Sequence, residues 1–506
     1  MNSVARLVAA AVLVAGTFTL AFFSGGYFAE SRLFAAIVAW ALFGALALLV
    51  GPPLPSSTSG RISLLGLALL AAWTGISIAW APLKGPALED FQRLLLYVAV
   101  FAVACFAFRE PLAAKLLEPL LALGILVVIL DGLADRVLPG VFHHHHSVSA
   151  GGRLEQPLTY WNAMGAVAAI GFVLSARLAG DPERPTWLRS AAAASTAPLA
   201  AGVYLSFSRG ALAALAVGLL ALIAFAPTRA QLRALVVTVV TGAVAAGASG
   251  ALTSVRTLEG GLHTRESEGA AMLAILLVLM AVAALAQWYL ASREGAGTLS
   301  VAPYRISRKA PLYATVAVLA VAGIVVAAVV KERSTTTGTP AFGATSQRLE
   351  SFQSNRYDYW RVALRAFARH PLWGSGSSGF QVDWLRERTV KDPAKDAHSL
   401  YIETAGELGL VGLAALALFI GGAAVAARNA YRARPGLVAG WVAAVLVWAV
   451  HAGLDWDWEM PAVSGLALLL GAALIAWSDA DGAERTRPPD RARDPARTPQ
   501  AESHPA

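Results

Sequence analysis

Apolar residues run along this chain in long blocks separated by short polar breaks. A helix needs about 20 mostly apolar residues to cross the hydrocarbon core of a bilayer. Fourteen blocks approach that length, at 5–23, 33–50, 62–80, 94–108, 116–134, 162–178, 190–207, 210–226, 234–252, 270–290, 312–330, 410–427, 437–454 and 460–477. The pattern predicts an all-α polytopic membrane protein with about 14 transmembrane helices. The first block carries Arg6 at its start and no small-residue cleavage site after it, so it reads as a retained helix. Segment 1–330 holds the first eleven spans and short connections, 331–409 is a long polar loop, and 410–478 holds the last three spans. The tail 479–506, rich in Arg, Pro and Asp, reads as disordered and cytoplasmic.

Composition narrows the class. Charged residues make up 14% of the 506 and hydrophobic ones 57%, with a mean hydropathy of +0.59. An ordinary soluble domain carries about 25% charge, so a soluble enzyme and a disordered chain are both excluded. The net charge of +8 is scattered between apolar runs instead of clustered, which excludes a nucleic-acid binder. Cys105 is the lone cysteine, so neither a disulfide framework nor a thiolate zinc site is available. With the N-terminus inside, the inner connections carry 16 Lys and Arg and the short outer ones 8. That bias predicts both termini in the cytoplasm and puts 131–161 and 331–409 outside.

The outer segments carry residues that a connector does not need. Arg153 precedes a span opening near Asn162, with Tyr160 and Trp161 suited to the interfacial aromatic belt. Ser208-Arg209-Gly210 interrupts two apolar blocks with almost no loop, so Arg209 lies at the membrane surface beside a helix N-terminus that favours an anion. In the long loop an amphipathic helix is predicted at about 346–369. Arg356, Trp360, Ala363, Leu364 and Phe367 form one stripe, and Arg361, Arg365 and Arg369 a basic one suited to lipid headgroups. His370-Pro371 ends this helix, and Gly374 to Gly379 reads as a mobile connection. His398 stands at the mouth of the twelfth span, where Glu403 and Glu407 share a helix face and need partners. The run His143 to His146 has no carboxylate in sequence to fix a metal geometry. Asp455-Trp456-Asp457 suits a plain surface turn, or less readily a divalent-cation pair.

Taken together, these motifs resemble the O-antigen ligase / O-antigen polymerase family of bacterial membrane glycosyltransferases. The most specific piece is His398-Ser-Leu-Tyr-Ile with Gly406-Glu-Leu-Gly-Leu-Val-Gly412. Arg356-Tyr-Asp-Tyr-Trp360 through His370-Pro-Leu-Trp-Gly374 resembles the family's long outer loop. Ser208-Arg209-Gly210, and Gly152-Arg153-Leu154 with Asn162-Ala-Met-Gly165, resemble its other arginine-bearing elements. The resemblance covers roughly 150–412. The chain departs from the pattern by two extra spans, 234–252 and 270–290.

The resemblance implies a GT-C-like fold in the bacterial cytoplasmic membrane. It implies transfer of a glycan from a polyprenyl-diphosphate carrier to an acceptor hydroxyl on the outer face. His398, Arg209 and Arg356 are then the catalytic candidates, and Arg153, Asn162, Glu403 and Glu407 the substrate-binding ones. The acceptor stays open among a glycolipid such as the lipid A core of lipopolysaccharide, another repeat unit, a protein and a wall polymer, so ligase, repeat-unit polymerase and protein O-oligosaccharyltransferase all remain open. Arginines at the diphosphate could stand in for a metal, so no cofactor is expected, with a divalent cation at Asp455 and Asp457 as the lesser alternative. A lipid-linked glycan flippase is the competing class. It would explain the span number, but its polar residues should line a midplane path instead of gathering on one face.

Overall fold

The computed structural model describes residues 2–303, 343–345 and 354–485. Eleven described helices are long and apolar enough to cross a membrane: α1 (Asn2–Ala21), α2 (Ala29–Leu49), α3 (Thr58–Ser77), α4 (Lys84–Ala107), α5 (Pro111–Val137), α6 (Trp161–Gly180), α9 (Arg229–Ala251), α11 (Leu262–Gly295), α14 (Leu400–Ala433), α15 (Pro435–Ala452) and α16 (Pro461–Arg485). Two more match sequence blocks: α7 (Thr186–Leu205), and α8 (Arg209–Phe225), which is apolar but shorter. Short helices α10 (Thr253–Thr257), α12 (Arg356–Arg369) and α13 (Phe380–Glu387) complete the set. Thirteen of the fourteen predicted spans are therefore helices. The block at 312–330, the predicted loop-helix residues 346–353 and the tail beyond 485 lie outside the described residues.

Small side chains set the packing, because helices in lipid associate by close contact and not by escape from water. α6, with six alanines and three further glycines after Trp161-Asn162, is buried along its length at the centre. α3 lies backbone to backbone against α14. A Cβ on Gly66 would stand 2.3 Å from the Phe419 amide, and the Ser63 hydroxyl donates to the Phe419 carbonyl at 2.8 Å.

Charged contacts gather at two opposite ends. At one, Asp479 accepts from the Ser56 and Ser57 amides and from Arg109, Arg189 and Arg233 converge on Glu294, and Arg184 approaches Glu118 and Asp181. At the other lie the α4 start, the turn between α15 and α16, and the long loop. There Arg32 meets Glu89, and Arg93 meets Asp90 and Glu459. This second end holds 131–161 and the described part of 331–409.

The long loop is knitted down. α12 buries Asp358, Tyr359, Val362, Ala363 and Ala366. This face is offset from the predicted stripe, and Leu364 is exposed, because the helix packs on α14 and α13 instead of lying flat on lipid. Its basic residues pair with protein acids: Arg361 with Asp358, Arg365 with Glu387, and Arg369 with Asp383 and Glu387.

The Gly-Ser connection is not a free hinge. The Ser375 and Gly376 amides donate to the carbonyls of Gly406 and Glu407 at 3.0 and 2.9 Å, and both the Ser377 and Ser378 hydroxyls reach Asp90 at 2.6 Å. α14 breaks at Gly409, whose φ of +65° favours glycine. Past the break the Leu410 and Val411 amides donate to the carbonyls of Pro371 and Leu372. Loop and broken helix thus satisfy each other's backbone groups, as irregular backbone at membrane depth requires.

Candidate functional site

The start of α12 sits over the turn between α15 and α16. Arg356 Nη2 lies 2.5 Å from Asp455 Oδ2, and Asp455 is fully buried. The other carboxylate oxygen accepts from the Tyr160 hydroxyl at 2.7 Å, and Asn162 Nδ2 donates to that same hydroxyl at 2.7 Å. Burial alone would raise the Asp455 pKa, but Arg356, with His398 and His451 nearby, holds it below the usual carboxylate value. Burial pulls Arg356 down, but Asp455 more than offsets this and keeps it charged. Arg356 Nε is buried without a hydrogen-bond partner among the described residues.

His398 is two residues past Asp396, in the left-handed region at φ +54°. Its Nδ1 lies 2.9 Å from the Asp396 carbonyl. A carbonyl only accepts, so Nδ1 carries the proton and Nε2 keeps a lone pair. The ring lies against Tyr359, with centroids 4.9 Å apart. Tyr359 is one helical turn from Arg356. Burial lowers the His398 pKa, against the pull of Asp455, so the neutral ring is favoured.

Arg209 opens α8, half-buried. Ser208 caps that helix by accepting from the Ala211 amide at 3.2 Å, and its hydroxyl lies 3.4 Å from His451 Nε2. His451 Nδ1 pairs in turn with Asp457. The Ser208-His451-Asp457 set therefore holds the α8 N-terminus beside the turn that carries Asp455.

Other candidates have structural engagements. Arg153 is buried, stacks 3.6 Å over the Trp161 ring and donates to the carbonyls of Ala150 and Ser149 at 2.6 Å each. Glu407 accepts from the Ser378 and Phe380 amides at 2.9 and 3.0 Å, pinning the start of α13. Glu403 accepts from the Ala397 amide at 2.6 Å, steadying the segment before His398. The structure thus brings Arg356, Asn162 and His398 to one centre with Arg209 adjoining. It puts Arg153, Glu403 and Glu407 in the supporting shell.

In sequence the Asp455-Trp456-Asp457 turn suits a surface feature or a cation pair. Both aspartates are instead fully buried and engaged, one with Arg356 and the other with His451. His451 went unnoticed because nothing local distinguishes a histidine near the end of an apolar helix. The histidine run does meet carboxylates in space: His144 approaches Asp131 and Asp135 at 3.5 and 3.7 Å, and His146 meets Asp135 at 2.5 Å.

Residues 266–417 match the family described as O-antigen ligase. No curated protein matches the chain. The matched stretch contains Arg356, His398, Glu403 and Glu407. Arg153, Asn162, Arg209 and Asp455 come from outside it and are brought to it by the fold.

Proposed function

Residues 266–417 match the O-antigen ligase family, and from that premise we propose that the chain is a multi-pass membrane enzyme of that family which transfers a glycan from a polyprenyl diphosphate to an acceptor hydroxyl. The transfer takes place on the outer face of the bacterial cytoplasmic membrane. The observation that carries this reading is His398, with Nδ1 committed to a backbone carbonyl and Nε2 left basic in the same centre as Arg356.

In the proposed step Nε2 takes the acceptor hydroxyl's proton as its oxygen bonds to the anomeric carbon. The bond from that carbon to the diphosphate oxygen breaks, and the electron pair leaves with the lipid diphosphate. Arg356, anchored by Asp455, and Arg209, at the α8 N-terminus, receive the departing anion. Each such charge-assisted contact contributes about 1.5–3 kcal/mol, and more as charge builds on the leaving group. Asn162 steadies the Tyr160 hydroxyl on Asp455, and Arg153 braces Trp161 at the opening of α6. The arginines do the work of a cation at the diphosphate, so donor binding needs no metal.

The roles separate in an assay that pairs photo-crosslinking of a lipid-diphosphate donor with glycan transfer. His398→Ala should keep donor crosslinking and lose transfer by about 10²–10⁴-fold, the range for a positioned base. Arg209→Ala and Arg356→Ala should lose both. Lys at either position should restore only part, because a point charge lacks the guanidinium fork. A His398→Ala protein that keeps more than about a tenth of transfer would sink the base assignment.

A further inference from the structure

Beside the centre just described, a second group of carboxylates converges: Asp396 from the loop before His398, Glu403 from the first turn of α14, and Glu459 from the turn between α15 and α16. One oxygen from each lies within 4.8 Å of the others. Glu403 and Glu459 line a cavity of about 40 Å³ together with Thr74, Arg93, Trp456 and Trp458. We propose that this group binds a hard divalent cation, of which Ca²⁺ is the best fit.

Charge is the first reason. Among the described residues Arg93 is the one cation ion-paired with this group, through Glu459, and it is shared with Asp90. Three carboxylates gathered beside a single shared guanidinium in a partly water-shielded site are costly to ionise together, and a bound cation offsets that cost.

The second reason is independent of the acids. Thr74 lines the same cavity, is 1% exposed, and its hydroxyl has no hydrogen-bond partner among the described residues. Buried hydroxyls are rarely left so. A bound ion, or a water on that ion, supplies the missing partner.

Geometry and size agree. Ca²⁺ takes oxygen ligands at about 2.3–2.6 Å in flexible arrangements, so one ion spans oxygens up to about 5 Å apart. One water needs roughly 10–15 Å³ of such space, so the cavity has room for an ion and a water or two. Mg²⁺ demands a stricter octahedron, which three carboxylates on three separate segments are poorly placed to give. The ion would fasten together the segments that carry His398 and Asp455. It would stand apart from the diphosphate and not act on it, and its binding does not depend on the glycan-transfer reading.

The test uses full-length protein in detergent and Tb³⁺, a luminescent Ca²⁺ stand-in that excited tryptophan sensitises over short distances. Trp456 and Trp458 line the cavity and would serve as antennae. We expect Tb³⁺ luminescence on tryptophan excitation that Ca²⁺ displaces and Mg²⁺ displaces far less well. Glu403→Gln and Asp396→Asn should each weaken Tb³⁺ binding at least about tenfold, the loss of one charged ligand contact, and Ca²⁺ should raise the wild-type melting temperature. Wild-type protein without a Ca²⁺-displaceable signal would overturn the proposal, and that measurement needs no variant to fold. Variants that fold and bind Tb³⁺ as wild type does would overturn it equally.

Discussion

Arg356 and Asp455 form a charge pair whose worth lies in the position it enforces. A guanidinium held at one nitrogen by a buried carboxylate keeps its remaining donors aimed, and Arg356 Nε has no other partner among the described residues. Asp455→Asn retains the shape and an oxygen for the Tyr160 hydroxyl but removes the charge. Donor crosslinking should then require about 10-fold or more lipid diphosphate, in line with losing a contact of about 1.5–3 kcal/mol. Tyr160→Phe deletes only the second hydrogen bond to that carboxylate, at about 0.5–1.5 kcal/mol, and should weaken crosslinking less. Equal binding by wild type and both variants, with unchanged melting temperatures, would remove Asp455 as the positioner. The same assay tests the metal-free reading of the diphosphate. Asp455 and Asp457 are each engaged by a side chain, so donor crosslinking should survive EDTA. Its loss with EDTA and return with Mg²⁺ would put a metal on the donor.

Helices and loops act here as mutual templates. Glu407 receives the amides of Ser378 and Phe380 while Gly409 breaks α14 and lets Pro371 and Leu372 fill the gap. Glu407→Ala should leave two amides unpaired, at about 1–3 kcal/mol each. The expected result is a lower melting temperature and new proteolytic cutting within 374–379, with Glu407→Gln milder because an amide oxygen still accepts. Uncut loop in Glu407→Ala would mean that the serine contacts to Asp90 suffice. These partners explain why a Gly-Ser run reads as mobile in sequence: Glu407 lies about 30 residues downstream and Asp90 almost 290 upstream. The α12 face fails to read for a similar reason. Its buried side includes Asp358 and Tyr359, which hydrophobic periodicity does not count as core. The start of α8 is legible, with Ser208 capping it locally, whereas α14 begins at Leu400, ten residues before the span expected at 410.

Across the whole molecule the spans were readable because a bilayer imposes one local requirement, a long apolar run, while the partners of the buried charges were not. Arg209 stands out as a costly residue in a tight outer turn, and Arg356 and His398 through the motifs of the long loop. Asp455 is marked in sequence only as half of an Asp-x-Asp pair, and its role beside Arg356, like that of His451, gains meaning only when distant helices meet. Orientation is the remaining property of the whole, and the proposed reaction depends on it. The helices alternate so that 131–161, the α8 start and the described part of the long loop share one end, while the pairs formed by Arg109, Arg189 and Arg233 share the other. The excess of arginine and lysine at the end with Arg109, Arg189 and Arg233 predicts that it faces the cytoplasm. Cys105 is fully buried and should give little background labelling, so single introduced cysteines report cleanly. Ser149 is exposed near the site and Ser300 is exposed at the opposite end. In sealed cells, Ser149→Cys should react with an impermeant thiol reagent and Ser300→Cys should react only after permeabilisation. The reverse pattern would turn the catalytic centre toward the cytoplasm, where the acceptor on the outer face could not reach His398, and the proposed reaction would fail with it.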